Sequence, residues 1–286
     1  MQKKGWLVIN GNLQTQKFNS LYALLCNSAK KQDILLELKS NNDLIAPVDK
    51  GKGLPDFAIF WDKDIPLARK LERAGIRLFN SRKAVEICDD KILTAEVLSE
   101  NGVPTPTTLI APKTFENIPF KDYGFLTKAE EIFGYPMVIK ESNGSFGAQV
   151  YLAENYEKAV AIIEKIGHKP FILQRFIKES SGKDIRVNIV GGKVICAMLR
   201  QNPDDFRSNI SSGGKGEKII LDKEQEKIAL DACKAVGTDF AGVDILFGKD
   251  GPLVCEVNSN PQFKSTLDAT GVDLSEYIIR HIKENL

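Results

Sequence analysis

The sequence predicts a three-unit fold of mixed α/β and α+β class: an N-terminal parallel α/β domain over residues 1–90, a small central lid over 91–170, and a C-terminal, mainly antiparallel sheet domain over 171–286. Three observations carry this expectation. The first unit alternates short apolar runs with amphipathic stretches, the rhythm of strands and helices built on a parallel sheet. The run Pro104-Thr105-Pro106 cannot continue a helix and marks the entry into a new unit. From Pro170 onward strand-like runs dominate and turn back on themselves at glycine pairs.

In the first unit, the apolar runs at 6–9, 34–36, 57–60 and 76–79 read as about four strands, separated by helical spacing around Leu21, Leu24 and Leu25 and again from Leu67 to Leu71. No Gly-x-Gly-x-x-Gly follows the first strand, which argues against a dinucleotide-binding domain. Ser81 is placed to cap a short helix over 82–87, and a second helix over 91–100 stops at Asn101-Gly102. In the lid, 107–110, 137–140 and 150–152 are strands and 156–166 has helical spacing. Beyond it, strands at 171–176, 185–190 and 194–199 precede a helix over 223–236, with Gly191-Gly192 joining the last two strands. A further hairpin pairs 241–247 with 253–257 across Gly248-Lys249-Asp250-Gly251, and the last helix covers 273–284.

With 286 residues, 43% hydrophobic, 27% charged and a formal net charge of +1, the chain has an ordinary globular balance and a sizeable core. Nothing in that balance selects nucleic acid or a membrane as partner. No segment is long enough to span a bilayer, and the 6–9 run behind Lys3 and Lys4 is far shorter than a signal-sequence core. Cys26, Cys88, Cys196, Cys233 and Cys255 are odd in number, scattered and never spaced as Cys-x-x-Cys, so they read as reduced, partly buried thiols. With only His168 and His281, a zinc site or a His-based triad is poorly supplied. A cytoplasmic enzyme is the expectation.

The strongest chemical signal is the last hairpin. A turn centred on Asp250 sets Asp244 directly opposite Glu256, with Asn258 two residues on and therefore on the same face. Like charges so placed repel, and hard oxygen donors from two acids and an amide suit Mg²⁺, with Mn²⁺ as the alternative ion. The bland alternative is a solvated polar face, against which stand the apolar neighbours Val243, Ile245, Val254 and Val257.

A second signal is the loop from Asn143 to Gln149, set between two strands, where Gly144 and Gly147 let backbone N–H groups approach phosphate oxygens and Ser145 adds a donor. By itself it reads equally as a hairpin turn. Lys140, ending the apolar strand ahead of it, puts an ammonium where phosphates would lie. Third, residues 184–190 alternate strictly, with Asp184, Arg186 and Asn188 on one face and Ile185, Val187 and Ile189 on the other. Arg200 follows on the next strand, and Arg207 and Asn209 precede Ser211-Ser212-Gly213-Gly214. Arginines converging on a carboxylate pair suit developing phosphoryl charge, the alternative being ordinary surface arginines.

These motifs, taken in order, resemble one family. Lys91 after Asp89-Asp90, Met137-Val138-Ile139-Lys140 before the Gly-Ser-Phe-Gly loop, Leu173-Gln174-Arg175-Phe176-Ile177 before Asp184-Ile185-Arg186, Asp205-Phe206-Arg207-Ser208-Asn209, Ala241-Gly242-Val243-Asp244-Ile245 and Glu256-Val257-Asn258 are similar to ATP-grasp enzymes of the RimK and lysine-biosynthesis glutamate-ligase type. The resemblance runs along the whole chain and implies the three-unit ATP-grasp architecture. It implies that ATP lies between lid and C-terminal sheet, with Lys91 and Lys140 on the phosphates, the loop with Gly144, Ser145 and Gly147 closing over them, and Gln174, Arg175, Phe176 and Ile177 along the adenine. Asp184, Arg207 and Asn209 complete the nucleotide set, Arg207, Arg186 and Lys140 are the candidate catalytic groups, and Asp244, Glu256 and Asn258 match the family's metal ligands.

Two departures stand out. Arg175 replaces a common glutamate before the hinge aromatic, and Gln149 follows Gly147-Ala148 where the ribosomal-protein-modifying members carry glycine. The latter, with Phe263-Lys264-Ser265, looks closer to the lysine-biosynthesis branch, while Ser259-Asn260-Pro261-Gln262 matches neither. The resemblance implies an ATP-dependent carboxylate–amine ligase working through an acylphosphate, with an amino acid such as glutamate and an amine, peptide or protein acceptor as partners, in a homo-oligomer. The rival expectations are a nucleotide-binding regulatory or scaffold protein of this fold, and a phosphotransferase.

Overall fold

A computed structural model gives the fold of the chain and describes residues 2–45, 53–145, 147–210 and 213–286; Phe146 of the glycine-rich loop, and Ser211 and Ser212, lie outside the described residues. The N-terminal unit runs β1 (Lys3–Ile9), α1 (Gln16–Lys31), β2 (Ile34–Ser40), β3 (Phe57–Trp61), α2 (Ile65–Arg73) and β4 (Arg77–Phe79). Its strands form a parallel sheet of order β2-β1-β3-β4. β3 is covered on both faces, which is why it reads as an unbroken apolar run. Its side chains divide by parity: Phe57, Ile59 and Trp61 join Leu7 and Ile9 under α1, while Ala58 and Phe60 join Val8 against α2.

Two short helices follow, α3 (Arg82–Asp89) and α4 (Lys91–Glu100). Ser81 caps the first as expected, its hydroxyl accepting from the Ala84 N–H at 3.2 Å, and Asp90 caps the second by accepting from the Ile92 N–H at 2.8 Å. The central sheet has the order β5-β8-β6-β7 and is antiparallel, built from β5 (Thr108–Ile110), α5 (Gly124–Phe133), β6 (Met137–Glu141), β7 (Val150–Ala153), α6 (Tyr156–Ile166) and β8 (Phe171–Arg175). The sequence division after residue 170 assigns β8 to the C-terminal unit. Its hydrogen bonds run instead to β5 and β6, because Phe171 and Leu173 complete the lid core with Leu126, Ile139 and Ile163. Helix α5 has no counterpart among the sequence expectations.

The C-terminal sheet, order β11-β10-β9-β12-β13, is antiparallel and comprises β9 (Lys183–Val190), β10 (Lys193–Gln201), β11 (Lys215–Ile219), α7 (Lys223–Val236), β12 (Phe240–Gly248) and β13 (Gly251–Asn258), followed by α8 (Lys264–Thr270) and α9 (Leu274–Glu284). The β9–β10 hairpin turns on Gly191 and Gly192, both with positive φ, 56° and 69°, as a two-residue turn of this hand requires. One face of the sheet, carrying Ile185, Val187, Ile189, Val243 and Val257, is buried under α7; Ile87 and Leu98 of the short helices share that core. The opposite face carries the polar residues.

The units are joined firmly. α9 returns across the molecule so that Ile278, Ile279 and Ile282 pack into the N-terminal core. The fully buried Asn80 donates to the carbonyls of Phe240 (2.9 Å) and Ser259 (2.8 Å) and accepts from the Asp239 N–H (2.6 Å). Among the described residues no helix is long and apolar enough to cross a membrane.

Candidate active site

The floor of the site is a charged ladder across three strands. Asp244 on β12 pairs with Arg186 on β9, and Asp184 on β9 pairs with Arg200 on β10. Arg186 donates Nη2 to Asp244 at 2.9 Å and Nε to its other oxygen; Arg200 donates Nε to Asp184 at 2.7 Å and Nη2 to Asp244 at 2.9 Å. All four side chains are buried, where two-point ion pairs are strong and an unpaired charge is costly. Burial pushes the Asp244 carboxyl up, but the guanidinium groups of Arg186 and Arg200 more than reverse this and hold it below the ordinary carboxylate range. Asp184 is raised, chiefly by burial and further by the Asp244 charge, against the pull of Arg200. Arg186 and Arg200 are thus anchored on carboxylates in the floor, and both line the cleft.

Asp244 does face Glu256 across the hairpin. The route to that pairing differs from the expected one. The turn is two residues long, Gly248 pairing with Gly251, and the register shifts by one between Ile245↔Val254 and Asp244↔Glu256, leaving Cys255 as the extra residue of a β-bulge. The bulge lets consecutive residues, Cys255 and Glu256, both line the cleft while Val254 and Val257 enter the core. Lys140 Nζ reaches the Cys255 sulfur at 3.4 Å, so the buried ammonium at the end of β6 is held above the hairpin. Burial, tempered by Lys140, raises the Cys255 thiol pKa, so it stays a neutral thiol.

The metal question can be put to these donors directly. Glu256 has neither a hydrogen bond nor an ion pair among the described residues and opens on the cleft. Asn258 commits its Nδ2 to the Gly242 carbonyl at 3.2 Å, which leaves Oδ1 as a free acceptor. Asp244 spends one lone pair on each hydrogen bond, and a carboxylate has about four such sites. Two acids and an amide are the donor types that suit a hard divalent cation, and among the described residues no cluster of three His, Cys, Asp or Glu side chains forms a metal site.

The glycine-rich loop closes this space from the lid. Gly147 has φ of +72°, and a Cβ there would lie 3.3 Å from Asn209 Oδ1 and 3.5 Å from Arg207 Cδ. Arg207 donates Nη1 to the Gly147 carbonyl at 2.6 Å and Nη2 to Asp205 at 2.6 Å, tying the loop to the C-terminal unit. Gln149 accepts from the Ser145 N–H at 3.2 Å, bracing the loop internally. Lys63, which the sequence reading passed over, donates to the Ser145 hydroxyl at 3.1 Å and pairs with Asp89, so the N-terminal unit also touches the loop. Lys91 opens α4 at the same end, its N–H on the Ser142 carbonyl at 3.0 Å.

Along the other wall runs the 174–177 segment. Gln174 donates to Thr108 Oγ1 at 2.9 Å. Arg175 lines the cleft, and its guanidinium donates to the Ile132 carbonyl at 3.1 Å, near the C-terminus of α5. Among the described residues the N–H groups of Phe176 and Ile177 have no hydrogen-bond partner, and both residues line the cleft.

All of these elements meet in one cleft of about 350 Å³, and every site residue expected from the sequence lines it. The sequence reading missed the N-terminal wall, Asn10, Lys17, Trp61, Asp62 and Lys63, and the segment with Asn260 and Gln262. Those residues sit at or just beyond strand ends, or in the case of Lys17 at the start of α1, and only the docking of the N-terminal sheet onto the C-terminal one brings them into the cleft.

Comparison with known proteins gives this geometry a family. Residues 88–282 match the model of the RimK-like ATP-grasp domain. A probable alpha-L-glutamate ligase of Trichodesmium erythraeum is 38% identical over 223 residues, covering 77% of this chain and 72% of that protein. N-acetylaspartylglutamate synthase A of Homo sapiens is 36% identical over 228 residues, covering 79% of this chain but only 57% of that protein. In fold, the chain resembles the crystal structure of D-alanine–D-alanine ligase from Bacillus anthracis, with a TM-score of 0.75 at 20% identity and 98% and 96% of the two chains covered. The chain belongs to the RimK-like ATP-grasp family.

Proposed function

We propose that this ATP-dependent carbon–nitrogen ligase joins the amine of an amino acid, glutamate, to the carboxylate of a small acid or peptide through an acylphosphate. One observation carries the reading: the open oxygens of Glu256 and Asn258, the buried Arg186–Asp244–Arg200 floor, Lys140 and the glycine loop all border a single cleft. Glutamate is drawn from the glutamate-ligase relatives.

In this scheme the adenine lies against Phe176 and Ile177, whose unpartnered N–H groups supply donors at the hinge. Lys91, Lys140 and the Gly144–Gln149 loop surround the phosphates, and Arg207 swings part of its donor set from the Gly147 carbonyl to the transferring phosphoryl group. Mg²⁺ held by Asp244, Glu256 and Asn258 would neutralise charge on the phosphates. A carboxylate oxygen attacks the γ-phosphorus and ADP leaves. The amine then attacks the acyl carbon, phosphate leaves, and the nitrogen loses its proton. The closed loop keeps water from the acylphosphate between these steps.

The setting we infer is the cytoplasm, with neither nucleic acid nor membrane as partner, which the five free cysteines and the near-zero net charge support. A homo-oligomer is part of the same reading, since Leu35 and Leu38 are about half exposed on the edge strand β2. The test of the acylphosphate is isotopic. With ¹⁸O in the substrate carboxylate, one labelled oxygen should appear in the released phosphate; unlabelled phosphate beside amide product would remove the mechanism.

A further inference from the structure

The wall of the cleft contributed by the N-terminal unit carries an imbalance that the phosphate chemistry leaves unused. Asp62 follows β3 and is only 5% exposed. Its Oδ1 accepts from the Asn10 side chain at 3.1 Å and from the Lys63 N–H at 2.7 Å, while its Oδ2 is buried with no partner. Facing it, Asn260 donates Nδ2 to the Asp62 carbonyl at 3.0 Å, which fixes the amide and leaves its Oδ1 buried and equally without a partner. Two residues on, Gln262 Oε1 is in the same condition. The edge-on contact of Phe263 with Trp61, ring centroids 5.8 Å apart, holds this run of chain against the end of β3.

Every one of these three oxygens is an acceptor, and all three residues line the cleft. A buried acceptor without a donor is costly, more so for a carboxylate in the apolar setting of Trp61, Phe240 and Phe263. The complement is a group rich in donors, positively charged and free of acceptors. A primary ammonium has N–H donors only and no lone pair, so it can serve such acceptors without bringing an unmatched acceptor of its own.

We propose that Asp62, Asn260 and Gln262 form the subsite that receives the ammonium group of the amino-acid substrate, with Asp62 as its anionic anchor. The subsite begins two residues beyond Asn258, so it holds the nitrogen beside the residues that surround the phosphates; its third proton passes to Asp62 Oδ2 before attack, which frees the lone pair for the acyl carbon. This inference rests on the ligase reading above and adds to it the recognition of the nucleophile. It also accounts for specificity, because a substrate with a hydroxyl or a methylene in place of the amine leaves buried acceptors unpaired.

The experiment compares the wild-type enzyme with Asp62→Asn and Gln262→Leu in steady-state ligation with glutamate, and measures inhibition by glutarate, which is glutamate without its amine. Asp62→Asn keeps the shape of the side chain and its Oδ1 acceptor. The Michaelis constant for glutamate should rise by about tenfold or more in Asp62→Asn and by several-fold in Gln262→Leu, while that for ATP stays within about twofold. The wild-type preference for glutamate over glutarate should shrink by the same factor in Asp62→Asn, a change that general loosening of the fold would not produce. An unchanged glutamate constant in Asp62→Asn, or a loss of activity rescued by K⁺ rather than by glutamate, would overturn the subsite. Absence of glutamate-dependent turnover in the wild type would instead remove the function proposed above.

Discussion

Arg186 and Asp244 stand opposite each other on β9 and β12 and share a two-point ion pair, and Arg200 closes on the same carboxylate from β10. This relationship separates two residues that the sequence treats alike. Asp244 and Glu256 are both candidate metal ligands, yet the first also neutralises two buried guanidinium groups, and the carboxylate of the second has no partner among the described residues.

The expected consequence is a split between stability and turnover. Asp244→Ala leaves two buried cations uncompensated and should cost about 3–5 kcal/mol in a urea titration. Glu256→Gln should shift stability by less than about 1 kcal/mol and still lower turnover on the order of a hundredfold, as loss of an electrostatic group at the reacting phosphate does. Equal destabilisation by both changes would show that Glu256 is structural.

The ladder also fixes a pH response. Asp244 lies below the ordinary carboxylate range, so its contribution is complete above about pH 4 and is lost as the pH falls through its lower folded value. Asp184, raised by burial, acts with the opposite sign and limits the total slope. The stability difference between wild type and Asp244→Asn, followed by urea unfolding at each pH, should therefore be largest near pH 7 and diminish as the pH falls below about 4. A difference that is constant with pH would mean that Asp244 is not ionised in the fold.

Much of this site is legible in the sequence because strand parity is a local rule. The alternation from Asp184 to Val190 sorts polar from apolar residues without any knowledge of partners, and the burial of Ile185, Val187 and Ile189 under α7 follows it. The Asp244–Glu256 pairing expected from a turn centred on Asp250 arises by another route: a two-residue turn between Gly248 and Gly251 and a bulge at Cys255 give the same final register. Single-sequence reasoning has no signal for a bulge whose extra residue is an apolar-looking cysteine. Nor has it one for Lys63 and Asp62, which reach the cleft through contacts such as Asn80 on the Phe240 and Ser259 carbonyls, far apart in the chain. The place of β8 is hidden for the same reason, since an apolar run of this length fits either sheet until Phe171 finds the lid core.

Loop closure gives a third expectation. Gly147→Ala forces a Cβ into a left-handed position facing Asn209 and Arg207. The Michaelis constant for ATP should rise roughly tenfold while the melting temperature moves by only a few degrees, because the strain falls on a surface loop. An unchanged constant would mean that the loop does not close over the nucleotide.

The Lys63 contact offers a fourth. Lys63→Ala removes the donor to Ser145 and the partner of Asp89, both partly exposed, so stability should change by less than about 1 kcal/mol. The loop loses one of its ties to the N-terminal unit, Asn143 on Asp89 being another, and limited proteolysis should cut within 143–149 faster in the variant without nucleotide. Identical cleavage rates would show that Arg207 and Asn143 hold the loop without Lys63.

The central claim is that the cleft couples ATP cleavage to the joining of an amine and a carboxylate. It is tested most directly by incubating the purified protein with ATP, Mg²⁺, glutamate and a pool of carboxylic acids and peptides, and measuring ADP release together with product mass. The account predicts full ADP release only when glutamate and a carboxylate are both present, with one new amide formed per ADP. ADP release with a single phosphorylated acceptor, or tight ATP binding without turnover for any pair, would contradict it.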